Sequence, residues 1–104
     1  MDAIDPTQRA SHIANAKSLF SLVNETRELE NGYSFCFGSD AKVLSSLIEF
    51  IKLEKLCCPF LGFTIHVEPE GGDIFLTLTG REGVKPFIQA EISEIIGTQI
   101  VPAR

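Results

Sequence analysis

Ala41-Lys42-Val43-Leu44-Ser45-Ser46-Leu47-Ile48-Glu49-Phe50-Ile51-Lys52-Leu53-Glu54-Lys55-Leu56-Cys57-Cys58-Pro59 is the stretch whose periodicity decides the fold. Val43, Leu44, Leu47, Ile48, Phe50 and Ile51 recur at steps of three and four, and they do so over too great a length for a strand. The spacing predicts a helix from about Ala41 to Cys57, preceded by a strand break and cap at Gly38-Ser39-Asp40. Pro59 ends it, because the residue before a proline avoids the helical region. Cys58 is then the first residue outside the helix.

On either side of this helix the apolar period changes to two. Upstream, Tyr33, Phe35 and Phe37 alternate with Ser34 and Cys36, which reads as a strand with one buried face. Asn31-Gly32 is a strong hairpin signal and pairs that strand with a polar edge strand at Thr26–Glu30. Downstream, Phe63, Ile65 and Val67 alternate with Thr64, His66 and Glu68. After a turn at Pro69-Glu70-Gly71-Gly72-Asp73, Ile74, Leu76 and Leu78 alternate with Phe75, Thr77 and Thr79.

Two further helices flank the hairpins. Asp5-Pro6-Thr7-Gln8 is a helix start, with Asp5 as cap and Pro6 in the first helical position. Ala10, Ile13, Ala14, Lys17, Phe20 and Val23 then make a narrow apolar stripe running to about Asn24. Val84, Phe87, Ile88, Ile92 and Ile95 form the inward face of a third helix, with Pro86 in its first turn and Gly97 as end cap. Thr98–Arg104 reads as a tail or a short added edge strand.

The order is helix, hairpin, helix, hairpin, helix (α-ββ-α-ββ-α), which predicts one α+β domain over residues 1–104. The four strands form a mostly antiparallel sheet. Two helices cover one face and the first helix lies beside or across it. A split β-α-β arrangement sets the last strand between Tyr33–Phe37 and Phe63–Glu68.

Composition limits the function classes. A net charge of −5 and a pI near 4.9, with Lys and Arg scattered, weigh against nucleic acid and against an anionic membrane surface. No apolar run reaches the ~20 residues of a membrane helix. The acidic start Met1-Asp2-Ala3-Ile4-Asp5 is not a signal peptide, so the expectation is a reducing cytoplasm, where three cysteines make no disulfide framework.

The chemistry concentrates at Glu54-Lys55-Leu56-Cys57-Cys58-Pro59-Phe60, where two adjacent thiols meet a helix stop. Glu54 lies three residues before Cys57 and four before Cys58, on their helix face, and continues the apolar line Val43–Leu47–Phe50. It is either a proton acceptor or ligand beside the thiols, or a helix-edge carboxylate bonded to Tyr33 or Arg81. The helix runs about 25 Å at ~1.5 Å per residue. That length carries the pair to the opposite end of the sheet from Cys36. Their expected neighbours are the Asn31-Gly32 turn, Tyr33, Phe63, Thr79 and the start of the third helix around Arg81.

A helix C-terminus and Glu54 both oppose a thiolate, which makes a nucleophilic catalyst the weaker expectation. Coordination displaces the thiol proton itself, so a soft metal or metalloid ion is less affected. His66 reads as a surface residue and His12 carries no sharp role. The chain has no phosphate loop and no paired C-x-x-C zinc pattern.

The run Leu53–Phe63, followed by Val67-Glu68-Pro69 and Leu76–Lys85, resembles small bacterial proteins of unassigned activity that carry an E-x-x-C-C-P-F motif. It is similar to C-terminal segments of some regulators of the mercury-resistance type. The resemblance spans roughly Asn31 to Ile96 and implies a bacterial origin and metal or metalloid handling. This chain has no helix-turn-helix, so a regulator's DNA-binding role is not implied.

Three readings follow. The first is a thiol-based soft-metal or metalloid binding module with Cys57, Cys58 and Glu54 as ligands. The second is a non-catalytic homodimerising interaction domain with the cysteines as core packing. The third is a dithiol redox protein.

Overall fold

The computed structural model describes residues 6–96. The elements are α1 (Pro6–Phe20), β1 (Glu25–Leu29), β2 (Gly32–Cys36), α2 (Val43–Cys57), β3 (Gly62–Val67), β4 (Ile74–Thr79) and α3 (Val84–Ile96). The sheet order is β1-β2-β4-β3 with every pairing antiparallel. This is the expected α+β order, with β4 inserted between the two strands that α2 connects. The expectations for Asp5, Gly97 and Thr98–Arg104 fall outside the described residues. Among those residues, no helix is long and apolar enough to cross a membrane.

The strand alternation builds the core. Tyr33, Phe35, Phe37, Ile74, Leu76 and Leu78 are buried on one face, and Val43, Leu47 and Phe50 of α2 pack there with Val84, Ile88 and Ile92 of α3. Phe20 of α1 joins them edge-on, with ring centroids 5.2 Å from Phe35 and 5.4 Å from Phe50.

Three local expectations are corrected. The inward face of α1 is His12, Ala16, Leu19 and Phe20, while Ile13 is 42% exposed. Phe20 of the expected stripe faces inward, but the helix is rotated away from Ala10, Ile13, Ala14 and Lys17 because Leu19, buried beside Phe20, fixes its orientation. Helix α2 begins at Val43 rather than Ala41, and the Asp40 carboxylate accepts from the Lys42 N–H (2.9 Å) in a turn just before it.

The first hairpin turns at Glu30-Asn31, with Leu29 opposite Gly32. Gly32 therefore lies in the strand, and its small size serves a close approach. A Cβ there would stand 1.8 Å from the Leu78 carbonyl oxygen. The second hairpin does use positive φ, at Glu70 (60°) and Gly71 (73°), closed by a bond from the Gly72 N–H to Pro69 O (3.1 Å). That is the φ pattern of a type I′ turn, matched to the twist of the flanking strands.

Gly32→Ala pushes β2 away from the backbone of β4, where neither neighbour can rotate aside. It is expected to cost about 2–3 kcal/mol, measured as a fall in urea midpoint against the parent.

Candidate metal centre

The site forms where α2 stops. Cys58 has left the helix (φ −131°, ψ 69°), as the following proline requires. Its N–H donates to Glu54 O (2.7 Å) and its carbonyl accepts from the Leu61 N–H (3.1 Å), closing a turn with Pro59 at its second position. The Cys58 backbone is thus held on both sides, and its side chain points into the core, 6% exposed. Cys57, still helical, is half-buried and lines a groove with His12 and Glu91. Adjacent in sequence, the two thiols face different environments.

Glu54 continues the buried line Val43–Leu47–Phe50 and is completely buried. Its partner is neither Tyr33 nor Arg81 but His12 of α1, whose Nε2 lies 2.9 Å from Glu54 Oε1. The His12 ring is itself buried and stacks on Phe50 at 5.4 Å. Glu91, in the second half of α3, completes the group. Its Oε2 lies 3.9 Å from Cys58 Sγ, and one donor atom each from Glu54, Cys58 and Glu91 lie within 4.8 Å of one another.

Three polar atoms of these residues, His12 Nδ1, Glu54 Oε2 and Glu91 Oε1, are buried without a fixed hydrogen-bond donor or acceptor beside them. Native interiors rarely leave such atoms unmatched. Cys36 stands four residues along the sheet from the Gly32–Thr79–Gly62 rung, about 13 Å at ~3.3 Å per residue, and takes no part. None of the three cysteines is in a disulfide. His66 is exposed and paired with Glu68 at 2.6 Å.

The proton distribution follows from burial and mutual repulsion. Burial raises the Glu91 carboxyl, and the neighbouring Glu54 raises it further, to about 9. Burial also pushes Glu54 up, but hydrogen bonding to His12 and then to Glu91 outweighs it and holds Glu54 below the usual carboxylate range. Burial, then the charges of Glu91 and Glu54, push the Cys58 thiol far above its ordinary value. Two facing carboxyls cannot both ionise cheaply, so one keeps its proton. At neutral pH Glu54 is the carboxylate, while Glu91 and Cys58 are protonated. The expected thiolate-opposing field is present, and at neutral pH Glu54, the carboxyl that stays ionised, supplies it.

Beside the cluster, Arg9, His12, Ile13, Lys17, Cys57, Glu91 and Glu94 line a groove of about 330 Å³ between α1, the end of α2 and α3. His12 and Glu91 belong to both the groove wall and the buried cluster. The neighbours expected from topology, Arg81 and the Asn31-Gly32 turn, are not in this group, and His12 and Glu91 take their place. Glu91 had a readable signal: it follows Val84 by seven residues and Ile88 by three, and so falls on the apolar line of α3. The chain matches no protein-family model, no curated protein and no solved structure.

Removing His12 strands a buried carboxylate, so His12→Ala is expected to cost about 3 kcal/mol at pH 7 by chemical denaturation. Glu91 gives the opposite signature. Its folded value lies above the unfolded one, so its contribution is complete below about pH 4.5 and is lost as pH rises toward 9. The metal-free parent should lose up to about 1.4 kcal/mol per pH unit across that window. Glu91→Gln, which keeps a donor without a charge, should flatten that slope and exceed the parent in stability at pH 8.

Proposed function

We propose that the chain binds a thiophilic divalent metal ion through Cys58, Glu54 and Glu91. The observation that carries this reading is the convergence of a thiol and two carboxyls within 4.8 Å at the buried end of α2. An ion would be held by all three.

The distances suit this reading. Zinc–sulfur and zinc–oxygen bonds of about 2.3 and 2.0 Å imply sulfur–oxygen separations of about 3.5 Å in a tetrahedral site. A contraction of about 1 Å, within the reach of side-chain rotation, would bring the three donors to that spacing. His12 would then hold Glu54 from behind, the role that outer partners play for metal-binding carboxylates.

One thiolate with two carboxylates is a borderline donor set. It favours a zinc-like ion over arsenite, which is best served by several thiolates. The reading calls for a reducing compartment such as the cytoplasm, where the thiols stay available.

The protonation pattern makes the test specific. Binding at neutral pH must expel one proton from Cys58 and one from Glu91, while Glu54 is already ionised. Titration with Co²⁺ should produce a sulfur-to-metal charge-transfer band and release two protons per ion. Its apparent affinity should rise about a hundredfold per pH unit between pH 6 and 8. Cys58→Ser should abolish the band. A parent protein that takes up neither Co²⁺ nor Zn²⁺ would reduce the cluster to a polar tie between helices.

A further inference from the structure

A centre this deep needs a way in. Cys58 and Glu54 are 6% and 0% exposed, so an ion from solvent cannot meet either of them first. Three residues of the groove wall adjoin the buried donors: His12, bonded to Glu54; Glu91, itself one of the donors; and Cys57, the chain neighbour of Cys58. Of these, Cys57 alone combines a soft donor with partial exposure.

The charge on the groove does not favour a bare dication. Arg9 and Lys17 stand on the same wall as Glu91 and Glu94, two cations against two carboxyls. Attraction by the field is therefore weak, and capture must come from a bond. A thiol on the wall supplies one.

Resting on the metal reading above, we infer that Cys57 is an entry ligand, which captures the incoming thiophilic ion in the groove and hands it to Cys58. In the capture step the Cys57 S–H bond breaks, a sulfur–metal bond forms and the proton leaves to solvent. In the transfer step Cys58 forms its bond to the metal as the bond from Cys57 breaks, and the Cys58 proton returns to Cys57. The ion keeps its oxidation state and no electrons are exchanged. Glu54 and Glu91 then close on the ion, Glu91 releasing its own proton.

An entry ligand lowers the barrier in both directions and leaves the end states alone. With Co²⁺ as probe, stopped-flow growth of the charge-transfer band gives association, and its decay in excess EDTA gives dissociation. Cys57→Ser should slow both by about tenfold or more, equivalent to about 1.4 kcal/mol of barrier, while Kd stays within about threefold of the parent. Cys57→Ala, which removes the thiol without adding a hydroxyl, should behave in the same way. Unchanged rates in both variants would overturn the entry role. So would a Kd raised tenfold or more, which would make Cys57 a resident ligand. Cys58→Ser separates the two levels of inference. If it keeps the parent's band, the buried centre itself is wrong and the transfer to it fails with it.

Discussion

A carboxylate with no access to water cannot remain charged without partners, and Glu54 is such a carboxylate. Its place on the inward line of α2 is set by helical period alone, so the surrounding structure must accommodate it. His12 approaches from α1 and donates to it at 2.9 Å, and Glu91 approaches from α3 carrying a proton. Around this one side chain, three helices from distant parts of the sequence are brought to a common point above the sheet. The apolar core could be filled by many packings of similar volume. The requirement to satisfy Glu54 admits few.

The same requirement orders the chemistry around the thiols. Glu54 keeps the negative charge, so its neighbours are driven to hold their protons, and Glu91 and Cys58 both do so. A thiol in that state is a poor nucleophile, and neither the helix C-terminus nor the nearby carboxyls help it ionise. On the proposed reading, a metal ion would displace both protons and be held by the thiol and the two carboxyls together. The conditions that disfavour catalysis by this cysteine are compatible with coordination.

Much of this was legible in the sequence. Alternation with period two gave both hairpins, and the long three-and-four spacing from Val43 gave α2 and its stop at Pro59. From these the strand order and the separation of Cys36 from the other thiols followed. Glu54 stood out because it interrupts an apolar line. The misses share one cause. His12 and Glu91 are polar residues on buried faces, and a pattern built from apolar residues assigns such positions to solvent. On α1, the stripe that runs from Ala10 and Ile13 to Phe20 leaves out Leu19, and this rotation turns His12 outward. Glu91 obeys the same rule that singled out Glu54, but α3 was read only for its apolar members. Gly32 is a separate case: Asn-Gly reads as a turn because it so often is one, whereas here Gly32 lies in the strand. The contact that needs it glycine, with the Leu78 carbonyl, comes from a strand more than forty residues away and leaves no local trace.

The two cysteines show how far adjacency in sequence can mislead about chemistry. Consecutive residues within a helix differ by about 100° around its axis, which already turns Cys57 and Cys58 apart. Pro59 widens the difference by forcing Cys58 out of the helical conformation, with its backbone tied to Glu54 on one side and Leu61 on the other. One sulfur is thereby delivered to the core and the other to the groove wall. A pair on a continuous helix would present two similar thiols along one edge. The proline converts the pair into an inner and an outer thiol, and that asymmetry makes passage of an ion from one to the other physically reasonable.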